Sequence, residues 1–398
     1  MPFTKIAAIQ QLLQEKKFDG WLFYNFRNSN IFATKILELP IETFQSRRYF
    51  YFIPAKGTPQ KIVHSIEQFT LDHLPGEKNI YASWQSLNNH LKKVLADKKN
   101  VTMEYSPNNA IPYLSKVDAG TVEFIRSLGI NVLSSGNIVQ YFEARWSDEQ
   151  WKDQQEVAAI LRNTVDIAFN FIGECLRNNT KVTEYDVQQE MVKNFRKNNL
   201  KFATEPNCSV NANAANPHYE PTKTSHNEIH KGDYVLIDLW AKKNKVGAVY
   251  GDIAWVAFAG EKIPDEYQKV FDIVKGARNA AVEFLKKEFS KKEKKVRGCD
   301  VDDVTRKYIT ERGYGEYFIH RTGHNIGEEV HGNGAHIDNY ETQDEREIIP
   351  ETCFSIEPGI YLPNKFGIRL EIDVYISKNY DVIIPGQPIQ QEIVKIQF

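Results

Sequence analysis

Apolar residues along this chain recur at two spacings, one helical and one extended. In the stretch TKIAAIQQLLQEKK from Thr4, residues Ile6, Ile9, Leu12 and Leu13 fall on one side of a helix, which predicts an amphipathic helix rather than the continuous apolar centre of a signal peptide. Short runs rich in aromatic and β-branched residues follow: DGWLFYNF, RRYFYFIP, KIVHSI and NVTMEY. They alternate with helical patterns such as SLNNHLKKVLADKK and DAGTVEFIRSLG, so the first part of the chain reads as an α/β domain. After Arg145, Ser147 and Gln150 have capping-box spacing ahead of WKDQQEVAAILRNTVDIAFNFIGECL, which predicts a long helix and a domain boundary there. The expected domains are residues 1–145 and 146–398. Further helices are expected over Glu184–Asn198, Asp265–Lys287 and Asp300–Arg312.

Four acids interrupt apolar runs in the second domain. Asp238 lies in YVLIDLW, Asp252 opens DIAWVAF, Glu357 sits in CFSIEPGIY and Glu371 in GIRLEIDVYI, so all four are expected on strands. A carboxylate among such neighbours is excluded from a core unless it is paired or holds a metal. Each pair is separated by 14 positions with turn-like residues between, Lys242 to Gly247 and Pro363 to Gly367, which suggests two hairpins each carrying two acids. Four carboxylates match the charge of two divalent cations. Without cations, like-charge pairs a few ångströms apart cost roughly 1 to 4 kcal/mol each, so metal is expected to stabilise the fold.

Histidines add a second layer, because four of the ten fall between His320 and His336, and His218 stands in NAANPHYEP. The order Asp238, Asp252, His324, Glu357, Glu371, with the strings GHNIG, VHG, SIEPGIY and RLEID, resembles the pita-bread metallopeptidases, among them aminopeptidase P, prolidase and methionine aminopeptidase. The stretch through about Glu143 is similar to the accessory domain of creatinase, prolidase and aminopeptidase P. The resemblance implies an α/β (α+β) architecture, with a creatinase-like N-terminal α/β domain and a C-terminal pita-bread domain whose helices lie outside a curved antiparallel sheet. It also implies that Asp238 binds one metal, that His324 and Glu357 bind the other, and that Asp252 and Glu371 bridge both. Glu357 would act as general base, and His218, His320 and His331 would line the substrate pocket. His226, His230 and His336, like His64, His73 and His90, match no family position and are read as structural or exposed. Arg369, two residues before Glu371 and so on the same face of a strand, is read as pairing with an acid there, with contact to substrate as the alternative.

The reaction implied is hydrolysis of Xaa-Pro bonds by a dinuclear metal-dependent exopeptidase that activates a bridging water. An Xaa-Pro bond has no N–H, and the departing secondary amine needs a proton, which a pocket of histidines can supply. The oxygen-rich donor set with one imidazole suits Mn²⁺ or Co²⁺ and tolerates Zn²⁺. Two other readings are a creatinase-like amidinohydrolase and a non-catalytic pita-bread scaffold that binds peptides. The intact set of five ligands speaks against both. Four features depart from the usual family pattern: Trp240, the string Ile253-Ala254-Trp255, an interval between the two aspartates that is a few residues longer, and Arg321.

Composition narrows the classes. A chain of 398 residues, 41% hydrophobic and 12% aromatic, suits two cores. The net charge of −2 gives no basis for nucleic-acid binding, and the lysine-rich segment KKEFSKKEKKVRG alternates with Glu as a solvated face does. Cys175, Cys208, Cys299 and Cys353 are scattered without a CxxC pair, so free thiols in a reducing compartment are expected. No segment is apolar enough to span a membrane. A cytoplasmic location follows, and the resemblance implies a homodimer.

Overall fold

In a computed structural model, which describes residues 2–40, 45–293 and 295–398, the chain forms two compact units, Met1–Glu143 and Ala144–Phe398. Lys294, in the lysine-rich segment, lies outside the described residues. The first unit is built from strands β1 (Gly20–Asn25), β2 (Tyr49–Pro54), β3 (Gln60–His64), β4 (Glu77–Tyr81), β5 (Asn100–Met103) and β6 (Asn131–Ser134). They form one sheet in the order β4-β3-β2-β1-β5-β6. Strand β2 runs antiparallel to both neighbours, and the remaining pairs are parallel.

Helices α1 (Pro2–Glu15), α2 (Ile31–Ile36), α3 (Trp84–Leu95), α4 (Ala119–Ser127) and α5 (Gly136–Glu143) accompany this sheet. Trp21 and Phe23 of β1 join the core that holds Ile9 and Leu13 of α1, whereas Leu22 and Tyr24 join the core that holds Leu91 and Ile125. Burial on both faces is why these strands read as unbroken apolar runs rather than alternating ones. Strands β4 and β6 escaped the sequence reading because their residues are largely polar and partly exposed.

In the second unit, α6 (Asp148–Arg177) opens with the expected capping box: Gln150 N donates to Ser147 Oγ at 3.2 Å and Ser147 N to Gln150 Oε1 at 2.9 Å. Then come α7 (Glu184–Lys197), β7 (Leu200–Lys201), β8 (Asn207–Val210), β9 (Tyr234–Lys243), β10 (Tyr250–Phe258), α8 (Asp265–Phe289) and α9 (Gly298–Thr310). Strands β11 (Asn325–Ile326), β12 (Thr352–Ile356), β13 (Gly359–Leu362), β14 (Phe366–Arg369), β15 (Ile372–Ile376), β16 (Val382–Ile383) and β17 (Val394–Lys395) complete it.

The sheet orders are β17-β10-β9-β7, with β8 also on β9, and β11-β12-β15-β16, while β13 and β14 pair separately. An isolated bridge, Ala254 to Glu371, links the two larger sheets. Val235, Ile237, Leu239, Ile253 and Trp255 pack in one core with α6 and α7. Leu236 and Val256 point to the opposite side, where they share a core with Phe271 and Val274 of α8. Asp238 and Asp252 follow the second parity, so they stand on the face turned away from α6 and α7.

Candidate metal centre

The hairpin β9–β10 brings the two aspartates together. Asp238 pairs with Ala254 and Asp252 with Trp240, so the acids are diagonal neighbours on one face. Trp240, at a departure from the family pattern, stands directly opposite Asp252 and donates from Nε1 to Thr204 Oγ1 at 3.2 Å.

The two glutamates are placed differently from the expectation. Glu357 follows the end of β12, and Glu371 occupies the isolated bridge between β14 and β15. They flank the hairpin β13–β14 instead of being carried on it. Pairing of β12 with β15, Ile356 opposite Ile372, closes the loop and returns Glu371 beside Glu357. The alternation of apolar residues is the same for a strand and for a residue just past its end, which is why the sequence could not separate the two.

His324 enters from the segment before β11. His324 N donates to Ser355 Oγ at 3.0 Å, Ser355 N returns a bond to His324 O at 2.8 Å, and Glu357 N donates to Thr322 O at 2.8 Å. The preceding Gly323 permits this approach, because a Cβ there would lie 2.0 Å from Ser355 O. His324 Nε2 lies 3.4 Å from Glu357 Oε1, 3.7 Å from Asp252 Oδ2 and 4.0 Å from Glu371 Oε1. Donor atoms of Asp252, His324 and Glu371 all fall within 4.8 Å of one another.

These approaches are not ion pairs. Burial, with the charges of Arg321 and the neighbouring His331, holds His324 well below the usual imidazole range. Its Nδ1–H donates to Asn325 O at 3.3 Å, leaving the Nε2 lone pair turned to the acids. Burial and mutual repulsion push Asp252 and Glu371 well above the usual carboxylate range, and burial raises Glu357 to about 7. Asp238 Oδ1, Asp252 Oδ1 and Glu371 Oε1 are buried with no hydrogen-bond partner among the described residues. Lone pairs converging without donors fit one class of occupant, a divalent cation.

Around this cluster, Arg369 donates to Asp238 Oδ2 and, from Nη1, to Tyr361 Oη at 3.2 Å. His320 uses both ring nitrogens: Nδ1 contacts Arg321 O at 2.6 Å and Nε2 contacts Tyr361 Oη at 2.7 Å. The carbonyl requires Nδ1 to carry the proton, so the Tyr361 hydroxyl donates to Nε2. The His331 ring stands 4.2 Å from that of His324, and burial lowers it to about 4, with contributions from Arg321 and His218. His218 is exposed.

Two residues not singled out from the sequence support the cluster. Buried Asp373 accepts from Asp252 N at 3.1 Å and from Gln154 Nε2 at 2.7 Å, tying α6 to β10. Asn325 donates to Cys353 O and accepts from Gly334 N, both at 2.8 Å, and its own N–H donates to His336 Nδ1 at 3.0 Å. His336, read as structural, is thus buried directly behind His324. All four cysteines are unpaired thiols, and no helix among the described residues is long and apolar enough to cross a membrane.

Comparison with known proteins fits this geometry. An Xaa-Pro dipeptidase of Lactobacillus delbrueckii subsp. lactis is 34% identical over 212 residues, covering 52% of this chain and 51% of that protein. One from Pyrococcus furiosus is 37% identical over 156 residues, covering 39% and 40%. The chain thus spans about half the length of the curated relatives that it matches. Among solved structures, the dipeptidase PepE from Mycobacterium ulcerans has a TM-score of 0.67 at 17% identity, with 100% of this chain and 98% of that chain covered. A dipeptidase from Pyrococcus horikoshii OT3 has a TM-score of 0.59 at 22% identity, with 98% and 99% covered. These likenesses bear out the expected pita-bread fold. The sequence model of metallopeptidase family M24 matches residues 154–378, from the Gln154 that braces Asp373 to just past the strand after Glu371, and the chain belongs to that family.

Proposed function

We propose that this protein is a metal-dependent exopeptidase that hydrolyses Xaa-Pro bonds, with Xaa-Pro dipeptides as its preferred substrates. The observation that carries the reading is the cluster of buried Asp252, His324 and Glu371 with half-buried Glu357, and the partnerless oxygens on Asp252 and Glu371 and on nearby Asp238. Asp238, Asp252, His324, Glu357 and Glu371 would hold two divalent cations, Mn²⁺ or Co²⁺ by the hardness of the donors. Such ions would supply Lewis acidity towards the scissile carbonyl and lower the pKa of a bound water.

The protein's own groups have matching tasks. Glu357, raised to about 7 by burial and contacted by Ser355 Oγ at 3.1 Å, takes a proton from the attacking water and passes it towards the proline nitrogen. His331 is neutral near pH 7 and can donate to the substrate carbonyl from one nitrogen. His218, whose charge helps to lower His331, is assigned to the same pocket, and His320 shapes the wall through Tyr361. For the dipeptide preference, Arg321, a buried cation three residues before His324, is the group that we assign to a substrate carboxylate. The relatives named Xaa-Pro dipeptidase support the same substrate class. A homodimer in the cytoplasm belongs to this reading.

The test is hydrolysis of Xaa-Pro dipeptides and Xaa-Pro-Yaa tripeptides by metal-stripped protein, with and without added Mn²⁺, Co²⁺ or Zn²⁺. Metal-dependent cleavage that favours dipeptides is expected. No turnover with any metal, despite two ions bound per chain, would reject the peptidase assignment.

A further inference from the structure

We infer that Glu184 is a positioning residue for substrate binding: it anchors the segment Asn211–Asn227, and with it His218. The inference rests on the substrate role proposed above for His218.

Glu184 is the first residue of α7 and is fully buried. Its Oε1 accepts from Val210 N at 2.7 Å and Asn213 Nδ2 at 3.0 Å. Its Oε2 accepts from Tyr219 Oη at 2.5 Å, Asn227 N at 2.6 Å and Asn213 Nδ2 at 3.1 Å. Glu184 N donates to Asn227 O at 3.0 Å. The donors therefore come from just before the segment, from its middle and from its end.

This carboxylate is not needed to start the helix. Thr183 and Asp186 already cap α7, with Asp186 N donating to Thr183 Oγ1 at 3.1 Å and Thr183 N to Asp186 Oδ2 at 2.9 Å. An apolar side chain would fill the same place without the cost of burying an acid. What the acid adds is a set of acceptors matched to one stretch of chain.

That stretch needs such an anchor. Apart from the short 3₁₀ turn Asn211–Ala215 and isolated bridges, residues 211–227 form no regular structure, so ladder hydrogen bonds do not hold them. His218 is exposed, and among the described residues its hydrogen bond runs from its own N–H to Asn216 Oδ1 at 3.1 Å. The next residue, Tyr219, is the tether. Burial and Glu184 push its phenol above the usual range, so it stays a donor.

The experiment measures KM and kcat for Ala-Pro, with Mn²⁺ loaded, in Tyr219→Phe, Glu184→Gln, His218→Ala and the double variant Tyr219→Phe with His218→Ala. Hydrogen exchange over residues 211–227 and bound Mn²⁺ are measured in parallel. Tyr219→Phe and Glu184→Gln are expected to raise KM by about tenfold to about a hundredfold, with bound Mn²⁺ unchanged and exchange faster in that segment. Tyr219→Phe should add nothing once His218 is gone, because both act through one contact. A rise in KM with His218→Ala but none with Tyr219→Phe or Glu184→Gln would overturn the inference. If His218→Ala itself leaves KM unchanged, the substrate role of His218 fails. The anchoring is then decided by exchange: faster exchange confined to residues 211–227 in Tyr219→Phe sustains it, and unchanged exchange overturns it.

Discussion

Arg369 and Asp238 form a buried ion pair at the edge of the metal centre, with the guanidinium also bonded to Tyr361 Oη at 3.2 Å. The pair fits the structural one of the two roles read for Arg369 from the sequence, and it leaves only Oδ1 of Asp238 without a partner. Breaking a buried pair strands a charge, at a cost of about 3 to 5 kcal/mol. Arg369→Ala should therefore destabilise the metal-free protein by that amount. The loss should shrink when Mn²⁺ is added, because the cations neutralise Asp238 in place of arginine. Denaturant melts with EDTA and with Mn²⁺ read both values, and an equal loss in the two conditions would show that Asp238 does not face the metal.

Asp252 lies 3.7 Å from His324 Nε2 and is surrounded by like charge from Asp238, Asp373 and Glu357. Asp252→Asn should lower kcat/KM on an Xaa-Pro dipeptide by about a thousandfold or more, corresponding to about 4 kcal/mol. Stability without metal should stay the same, because burial and repulsion already keep Asp252 protonated there and asparagine replaces a neutral acid of the same shape. Activity lost together with metal-free stability would mark a folding defect instead.

Much of this cluster was legible because acids in apolar runs need a reason, and their order with His324 singled out residues that the structure brings together, Asp252, His324, Glu357 and Glu371. What the sequence could not carry was depth behind the ligands. Asp373 reads as one more acid in a strand, and only the crossing of β10 by β15 reveals that it holds Asp252 N. His336 matched no motif, because its value lies in a bond to a backbone N–H, a partner that leaves no side-chain signature. The glutamates were misplaced by one or two positions for a related reason: pairing partners decide where a strand stops, and those partners are distant in sequence.

His336 offers a test of that hidden layer. It is buried, its Nδ1 accepts from Asn325 N, and its own N–H donates to Asp344 Oδ2 at 2.8 Å. His336→Ala leaves a cavity and an unpaired buried N–H, together worth about 2 to 4 kcal/mol of stability. Because Asn325 O orients His324 Nδ1–H, Mn²⁺ affinity should fall by about tenfold to a hundredfold as well. Calorimetric titration of Mn²⁺ checks this. Unchanged affinity in a destabilised variant would confine His336 to packing.

The acids and histidines of the centre give stability opposite pH dependences, and their windows differ. Burial raises Glu357 from an ordinary 4.5 to about 7 and Asp373 from 3.8 to about 8. Between those limits the folded, metal-free protein holds protons that the unfolded chain has released, so its stability falls as pH rises. Burial lowers His331 from 6.5 to about 4 and His320 to about 3. Between those limits the unfolded chain holds more protons, and stability rises with pH. The trends oppose each other below about pH 6.5, and above it only the carboxyl trend persists. The Tm of EDTA-treated protein should therefore drop by several degrees from about pH 6.5 to about pH 8.5, each kcal/mol being worth about 2 to 4 °C in a domain of this size. With Mn²⁺ the sign reverses, because cations displace the same protons and bind more tightly as pH rises. Thermal melts across that range check both signs, and a metal-free Tm that is level or rising would show that the carboxyls are ionised without metal.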